Sequence, residues 1–241
     1  MGQAAFQAAG TPVTSTGATS ASWPSHQAND VGVLVIASRN QTISTPSGWT
    51  QFSNSPQGTG TAGVELSSAV AMFWRRAAGA AESAASIADS GVYQTAGIIT
   101  VRGCPPTGDP FDVTAGSVTT PASTTITIPG GTTTVDNCLI VWAESWDLAA
   151  PGEPGTNSGV SNPSGVTNTA RRLVSEGQVT SVGGGIAVWT GEVRTAGVFG
   201  ALSSGQDTAS LHGNVTAALI SSGGPNTRSI QRNIGLGVFR A

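Results

Sequence analysis

Short β-branched runs, cut off by Gly and Pro, recur twice in the same order along this chain. Residues 31–38 (VGVLVIAS) are almost continuously apolar, and residues 139–145 (LIVWAES) match 33–38. An Asn/Asp pair precedes each run, Asn29-Asp30 and Asp136-Asn137. The turn Pro46-Ser47-Gly48-Trp49-Thr50 reappears as Pro163-Ser164-Gly165-Val166-Thr167, and Ala71-Met72-Phe73-Trp74 as Ile186-Ala187-Val188-Trp189. Gly97–Gly103 (GIITVRG) finds its match in Gly235–Ala241 (GLGVFRA). Matches kept in one order predict a duplicated strand set whose halves cannot bury their apolar faces alone. Two such sets face to face make a sandwich with a core about 10 Å thick. The expected fold is all-β, an antiparallel β-sandwich, jelly-roll-like, built from two similar strand sets. Its shared core should contain Val35, Trp74, Ile99, Val141 and Trp189.

The remaining segments follow from turn chemistry and periodicity. Residues 1–24 are rich in Ala, Thr, Ser and Gly and read as an extended N-terminal arm or an edge strand, expected to dock on another chain through Phe6 and Trp23. Residues 25–241 read as one sandwich domain, with half A at 25–104 and half B at 134–241. The connector, 105–133, opens with the breaker cluster Cys104-Pro105-Pro106-Thr107-Gly108-Asp109-Pro110. Within it, Thr124–Ile128 alternates as a half-exposed strand should. Strands are also expected over 64–76 and 96–103, and residues 79–86 as a loop leading into a strand. Residues 149–165 form a long Pro/Gly/Asn loop, and loops of that length are often functional.

Charge narrows the function classes. Of 241 residues, 10 are basic and 13 acidic, and every basic residue is Arg. A net charge of −3 with interspersed signs lacks the cationic surface that nucleic-acid binding needs and the polybasic cluster that docks on membranes. No apolar run approaches the ~18 residues of a membrane span, and Met1–Gly10 lacks the basic n-region and apolar core of a signal peptide. Assembly in a host cytoplasm is the expectation. Cys104 and Cys138 form no CxxC and have no clustered His, so they are read as small buried hydrophobes, with a disulfide as the alternative. No metal and no cofactor is expected.

The segments Asn29-Asp30 with Val33–Ser38, Thr45–Thr50, Phe73-Trp74-Arg75-Arg76-Ala77 and Gly97–Gly103 followed by Pro106 and Asp109-Pro110 together resemble a family of tailed-phage and prophage virion structural proteins. The resemblance covers roughly residues 25–112, and 134–241 more loosely: Val166 replaces the turn Trp, and Thr190-Gly191 replaces the Arg pair. It implies a β-sandwich component of a phage particle, on the head or the tail.

Candidate chemistry is sparse. His26 and His212 lack a GxSxG elbow that would present a nucleophile, and both read as surface or strand histidines. Glu65 with Glu82, or Glu144 with Asp147, would be the carboxylate pairs of a glycosidase. On a strand, Trp142, Glu144 and Trp146 share one face, which is the pattern of a glycan contact. The doublets Arg75-Arg76 and Arg171-Arg172 place one Arg on each face of a strand and suit subunit contacts. The function expected from these readings is non-enzymatic: a capsid decoration or cement protein of the virion. Its partners would be the major capsid protein or other virion proteins and further copies of itself, a trimer among the options. The alternative is a tail-tip or tail-fibre domain that binds a host receptor or glycan.

Overall fold

The computed structural model describes residues 2–39, 42–58, 68–91, 93–148, 158–179 and 182–223. Among these there is no helix. In chain order the strands are β1 (Ala5–Ala9), β2 (Val13–Ser15), β3 (Thr19–Ala21), β4 (Val31–Arg39), β5 (Thr50–Gln51), β6 (Gln57–Gly58), β7 (Ala69–Arg76), β8 (Ala85–Ile87) and β9 (Tyr93–Arg102). They continue with β10 (Phe111–Ile128), β11 (Gly131–Thr133), β12 (Cys138–Leu148), β13 (Ser158–Ser161), β14 (Thr167–Val179), β15 (Val182–Val193), β16 (Gly197–Phe199) and β17 (Leu202–Leu219).

Two antiparallel sheets face each other. The first runs β1-β9-β4-β7-β5, with β2 also on β9 and β6 on β7; the second runs β10-β17-β12-β15-β14, with β13 also on β17. Each sheet is drawn from one half of the chain, so the polypeptide passes from sheet to sheet once. A jelly roll instead threads its strands back and forth between two sheets.

The duplication extends further than the sequence motifs. In each repeat the first strand pairs with the last: Phe6 lies opposite Val101 and Phe111 opposite Leu219, each followed by a β-bulge. A two-stranded sheet, β3–β8 or β11–β16, accompanies each. Asn29 and Asn137 both adopt left-handed backbone ahead of the central strand, with φ 70 and 61. Gly48 and Gly165, φ 77 and 74, make the same turn, closed by Trp49 N–H to Pro46 O at 3.1 Å and Val166 N–H to Pro163 O at 3.3 Å. Only Gly takes that conformation freely.

These equivalences decide three expectations. Residues 1–24 take the edge-strand reading and are not an arm reserved for another chain: β1 and β2 are edge strands of the first sheet, and β3 pairs with β8. Residues 105–133 are not merely a connector, because they supply β10, the second repeat's counterpart of β1. The strand equivalent to β9 is β17; Gly235–Ala241 lies outside the described residues. Residues 124–128 do alternate, with Ile126 and Ile128 buried, as the end of β10.

Both sheets are buried on both faces, and in β4 both faces are apolar, which is why it reads as an unbroken apolar run. Between the sheets, Val31, Val33, Val35, Val70, Met72, Ile99 and Val101 meet Leu139, Val141, Leu173, Ile186, Val188, Val215 and Leu219. Outside the first sheet, Leu34, Ile36, Phe73 and Ile98 lie under Ala21, Ala85, Ile87, Ile43 and Trp49. Outside the second, Ile140, Trp142, Trp146 and Trp189 lie under Ile126, Ile128, Phe199 and Leu202. Val35, Ile99 and Val141 share the central layer as expected, and Trp74 packs against it. Trp189 belongs to the outer layer. The register explains why: Val33 pairs with Trp74 and the equivalent Val141 with Thr190, so the match of Trp74 to Trp189 is one residue out of step. A one-residue slip exchanges sheet faces.

Because the central layer takes one wall from each repeat, neither repeat is expected to fold alone. A chain of residues 1–108 is expected to show no cooperative thermal transition, whereas the whole chain shows one; a sharp melt of the fragment by circular dichroism overturns this. Deleting residues 1–11 strips β1 from β9 and removes Phe6, and should lower Tm by at least about 5 °C. An unchanged melting curve refutes the assignment of this segment to the sheet.

Candidate functional site

The residues singled out for contacts are spent inside the chain. Phe6, half-buried on β1, packs against the central layer, and the Arg172 guanidinium lies over its ring at 4.3 Å. Arg172 also donates to Thr190 Oγ1 at 2.8 Å. The pair therefore joins β1 of the first sheet to β14 of the second. Partial burial lowers the Arg172 pKa, opposed by nearby Glu192. At the opposite edge, Phe111 on β10 lies against Phe52 with centroids 5.1 Å apart, the counterpart of the same closure.

Trp23 covers the outer face of the first sheet. A Cβ on Gly32 would come within 2.4 Å of its ring, so the indole lies flat against bare backbone. Trp23 also contacts His26 (5.0 Å) and Trp49 (5.3 Å). His26 Nδ1 sits 2.6 Å from Pro24 O, and its Nε2 accepts from the Glu82 N–H at 3.2 Å. That geometry places the proton of the neutral ring on Nδ1. Glu82 in turn pairs with Arg75 at 2.7 Å and accepts from the Ala78 N–H.

The first Arg doublet divides as alternation requires. Arg75 meets Glu82 over the outer layer, while Arg76 donates to Gly108 O at 2.7 Å and lies 5.7 Å from the Trp74 ring. Arg76 thus holds the segment that crosses between the repeats. Desolvation lowers its pKa, with Cys104 and Asp109 opposing. In the second doublet Arg171 is exposed while Arg172 is half-buried. Arg102, not singled out by the sequence reading, makes the best ion pair among the described residues. Its Nε and Nη2 donate to the two oxygens of buried Asp30 at 2.9 and 2.7 Å, and that bond raises the Arg102 pKa. Only the turn-forming Asn29-Asp30 hinted at it.

Trp142, Glu144 and Trp146 do share one face of β12, but all three are fully buried. Glu144 accepts from Ser204 Oγ at 3.0 Å, and Phe199 stands edge-on to Trp142 at 6.2 Å. A glycan cannot reach them. Opposite Glu144 and Trp146 in register stand Asn214 and His212, also buried. Asn214 donates to Ser117 Oγ and Thr119 Oγ1 at 3.4 and 3.3 Å, and His212 Nε2 donates to Ser123 O at 3.0 Å. This polar row lies on the face that β10 and β17 share, and it ties the two long strands together. Of the carboxylate pairs, Glu65 and the side chain of Asp147 lie outside what is described, which leaves Glu82, paired with Arg75, and Glu144, buried on β12, each without the partner the sequence suggested.

Cys104 closes the central layer and Cys138 the outer layer of the second sheet. Both are free, so the disulfide alternative is not formed. Burial pushes each thiol up to about 12. No group of three or more His, Cys, Asp or Glu that could hold a metal ion occurs among the described residues.

The described surface includes short loops, strand edges and shallow grooves, of which two are open beside the small sheets. One of about 540 Å³ runs beside Ala8–Thr11 and Ser22–Ser25, with Trp23 in its wall. The other, of about 450 Å³, lies between Gly165–Thr167 and Arg194–Val198. No family model, curated protein or solved structure matches this chain.

Two measurements test the buried groups. Burial lowers the His212 pKa below 6.5, so between that lowered value and 6.5 the unfolded chain binds a proton that the folded chain refuses. Stability must therefore fall with pH through that window. His212→Asn is expected to lose less Tm than the native chain between about pH 7.5 and about pH 5; an equal loss overturns this. Native protein should expose no thiol to an aromatic disulfide reagent at neutral pH, and unfolded protein two. Rapid labelling of the folded chain contradicts the assigned burial.

Proposed function

We propose that the protein is a non-enzymatic structural component of a tailed-phage particle, acting as a capsid decoration or cement protein. The observation that carries the reading is where the chemistry-bearing side chains are used. Phe6, Trp23, Arg75, Arg76, Arg102 and Arg172 join strands and repeats within the chain, and Glu144 and His212 are buried among neighbours. What faces solvent is a rigid body of sheet edges, with a strand-edge surface rich in Ser and Thr along β10 (Thr120, Thr124, Thr125 and Thr127). A cement protein works by spreading rigid contact area over neighbouring subunits, and lattice multivalency multiplies modest individual contacts. The resemblance of residues 25–112 to phage virion proteins supports the same reading. The tail-tip alternative loses its candidate glycan contact, since Trp142, Glu144 and Trp146 are buried.

The test is made on particles. In lysates of the phage that encodes it, the protein should co-purify with intact virions at a fixed ratio to the major capsid protein, and specific antibodies with gold should label heads. Virions lacking it should assemble but lose their genomes at lower temperature. Gold confined to the tail supports the alternative, and absence from virions overturns both.

A further inference from the structure

The duplication lets each repeat serve as a control for the other. Equivalent turns match Trp49 with Val166, and pairing register matches Ser86 with Val198. A third mismatch bears on recognition. Arg102 lies opposite Ala5 at the end of β9, and Ile220 holds the same place after β17, its N–H donating to Pro110 O at 2.9 Å. Cys138 stands where Asp30 stands, each one residue past a left-handed Asn. The Cys138 thiol donates to Val135 O at 3.4 Å, whereas Asp30 accepts from the Gln27 N–H at 2.9 Å. The same turn is thus closed by different groups.

In the first repeat a guanidinium fills the corner between these strand ends, since Arg102 donates to both oxygens of Asp30. At the equivalent corner of the second repeat lies a pocket of about 160 Å³ lined by Pro105, Val135, Asp136, Ile220 and Ser221–Gly223. Val135, Asp136, Ile220 and Ser221 hold the positions of Gln27, Ala28, Arg102 and Gly103. The pocket therefore opens where the first repeat places its own Arg.

Its chemistry is that of a cation site with apolar walls. Pro105, Val135 and Ile220 supply the apolar part. Asp136 brings a carboxylate where the first repeat has Ala28; it accepts from the Ala196 N–H at 2.8 Å and forms no ion pair among the described residues. Burial, then the charges of Asp112 and Asp136, hold the Cys138 thiol up at about 12, so Cys138 adds no charge of its own. The cations of neighbouring segments are turned elsewhere, Arg194 to Glu192 at 3.5 Å and Arg76 to Gly108 O at 2.7 Å. The volume falls below the roughly 300–1,000 Å³ of small-molecule sites and suits a single side chain. Apolar walls around one carboxylate favour the weakly hydrated guanidinium over the strongly hydrated ammonium.

We propose that this pocket receives an arginine side chain of a partner protein, in the place where Arg102 serves the first repeat, with Asp136 meeting its charge and Val135, Ile220 and Pro105 its methylenes. Arg is among the residues that anchor interfaces from such pockets. The anchor is independent of the virion reading, which is tested on particles.

The experiment titrates the native full-length chain with N-acetyl-arginine methylamide and follows backbone amide shifts by NMR. Shifts at Val135, Asp136, Ile220 and Ser222 should saturate in the millimolar range, with the lysine and norleucine analogues binding at least about fivefold more weakly. Asp136→Asn, which keeps an acceptor for the Ala196 N–H, should weaken binding roughly fivefold. Cys138→Asp combined with Ile220→Arg installs the first repeat's pair and should abolish binding while the chain still melts cooperatively; where that double variant fails to fold, Asp136→Asn decides. No saturable shift, equal binding of the norleucine analogue, or unchanged affinity in Asp136→Asn overturns the proposal. So does a native chain that is dimeric by light scattering and monomeric as Asp136→Asn, because a second copy then supplies the arginine.

Discussion

Everything in this molecule follows from two largely apolar sheets that must be covered on both faces. Such a sheet cannot be left half covered, because each bare Val, Leu or Ile forgoes about 1.5–3 kcal/mol of burial. The chain meets the requirement twice over. Each repeat folds its own small second sheet, β3–β8 or β11–β16, over the outer face, and offers the inner face to the other repeat. Three apolar layers result, and the central one is a contact between repeats that neither can make alone. A unit of this kind standing by itself would expose Val33, Val35, Met72 and Ile99 as one patch, so fusion of two copies fixes what would otherwise be a dimer.

How the layers close at their margins depends on a few single residues. The first strand of each repeat pairs with its last, which brings Phe6 and Phe111 to equivalent places beside equivalent bulges. Phe111 finds an aromatic partner in Phe52, whereas Phe6 finds the face of Arg172. The two solutions use different chemistry at equivalent places: a guanidinium over one half-buried ring and an aromatic partner against the other. Asp30 and Arg102 then bind the start of β4 to the end of β9 in the first repeat. The second repeat has Cys138 and Ile220 at those register positions and relies on apolar contact alone.

Much of the sheet framework could be read from residue pattern, and its failures are physically consistent. Val31–Ser38 and the Pro-Ser-Gly turns were readable because an unbroken β-branched run and a Gly with positive φ have few alternatives. For residues 1–24 the pattern leaves an arm and an edge strand both open, and of β10 only Thr124–Ile128 alternates legibly, because edge strands face solvent along one side and carry Ala, Ser and Thr where a buried strand carries Val and Ile. β17 is hard to read for a related reason: its outer face holds His212, Asn214 and Thr216, whose hydrogen bonds run to β10 and to Pro129 in the segment that follows it. A strand with a polar buried face has no periodic apolar signature. The Trp142-Glu144-Trp146 row was correctly placed on one face, but alternation reports which residues share a face and not whether that face is open.

The two repeats therefore act as each other's reference. Where they agree, as in strand order, the left-handed Asn and the turn Gly, the feature belongs to the scaffold, since the same backbone problem has the same solution. Where they differ at equivalent positions, the scaffold did not demand the difference. Trp49 against Val166 and Ser86 against Val198 are differences of that kind, and both lie on one side of the second repeat. Replacing a buried Trp by Val removes apolar cover, and replacing an exposed Ser by Val adds apolar surface beside the gap. Both changes cost a free-standing domain, one by removing apolar cover and the other by exposing apolar area. The asymmetry between repeats thus marks Val166 and Val198 as positions that the shared scaffold does not dictate.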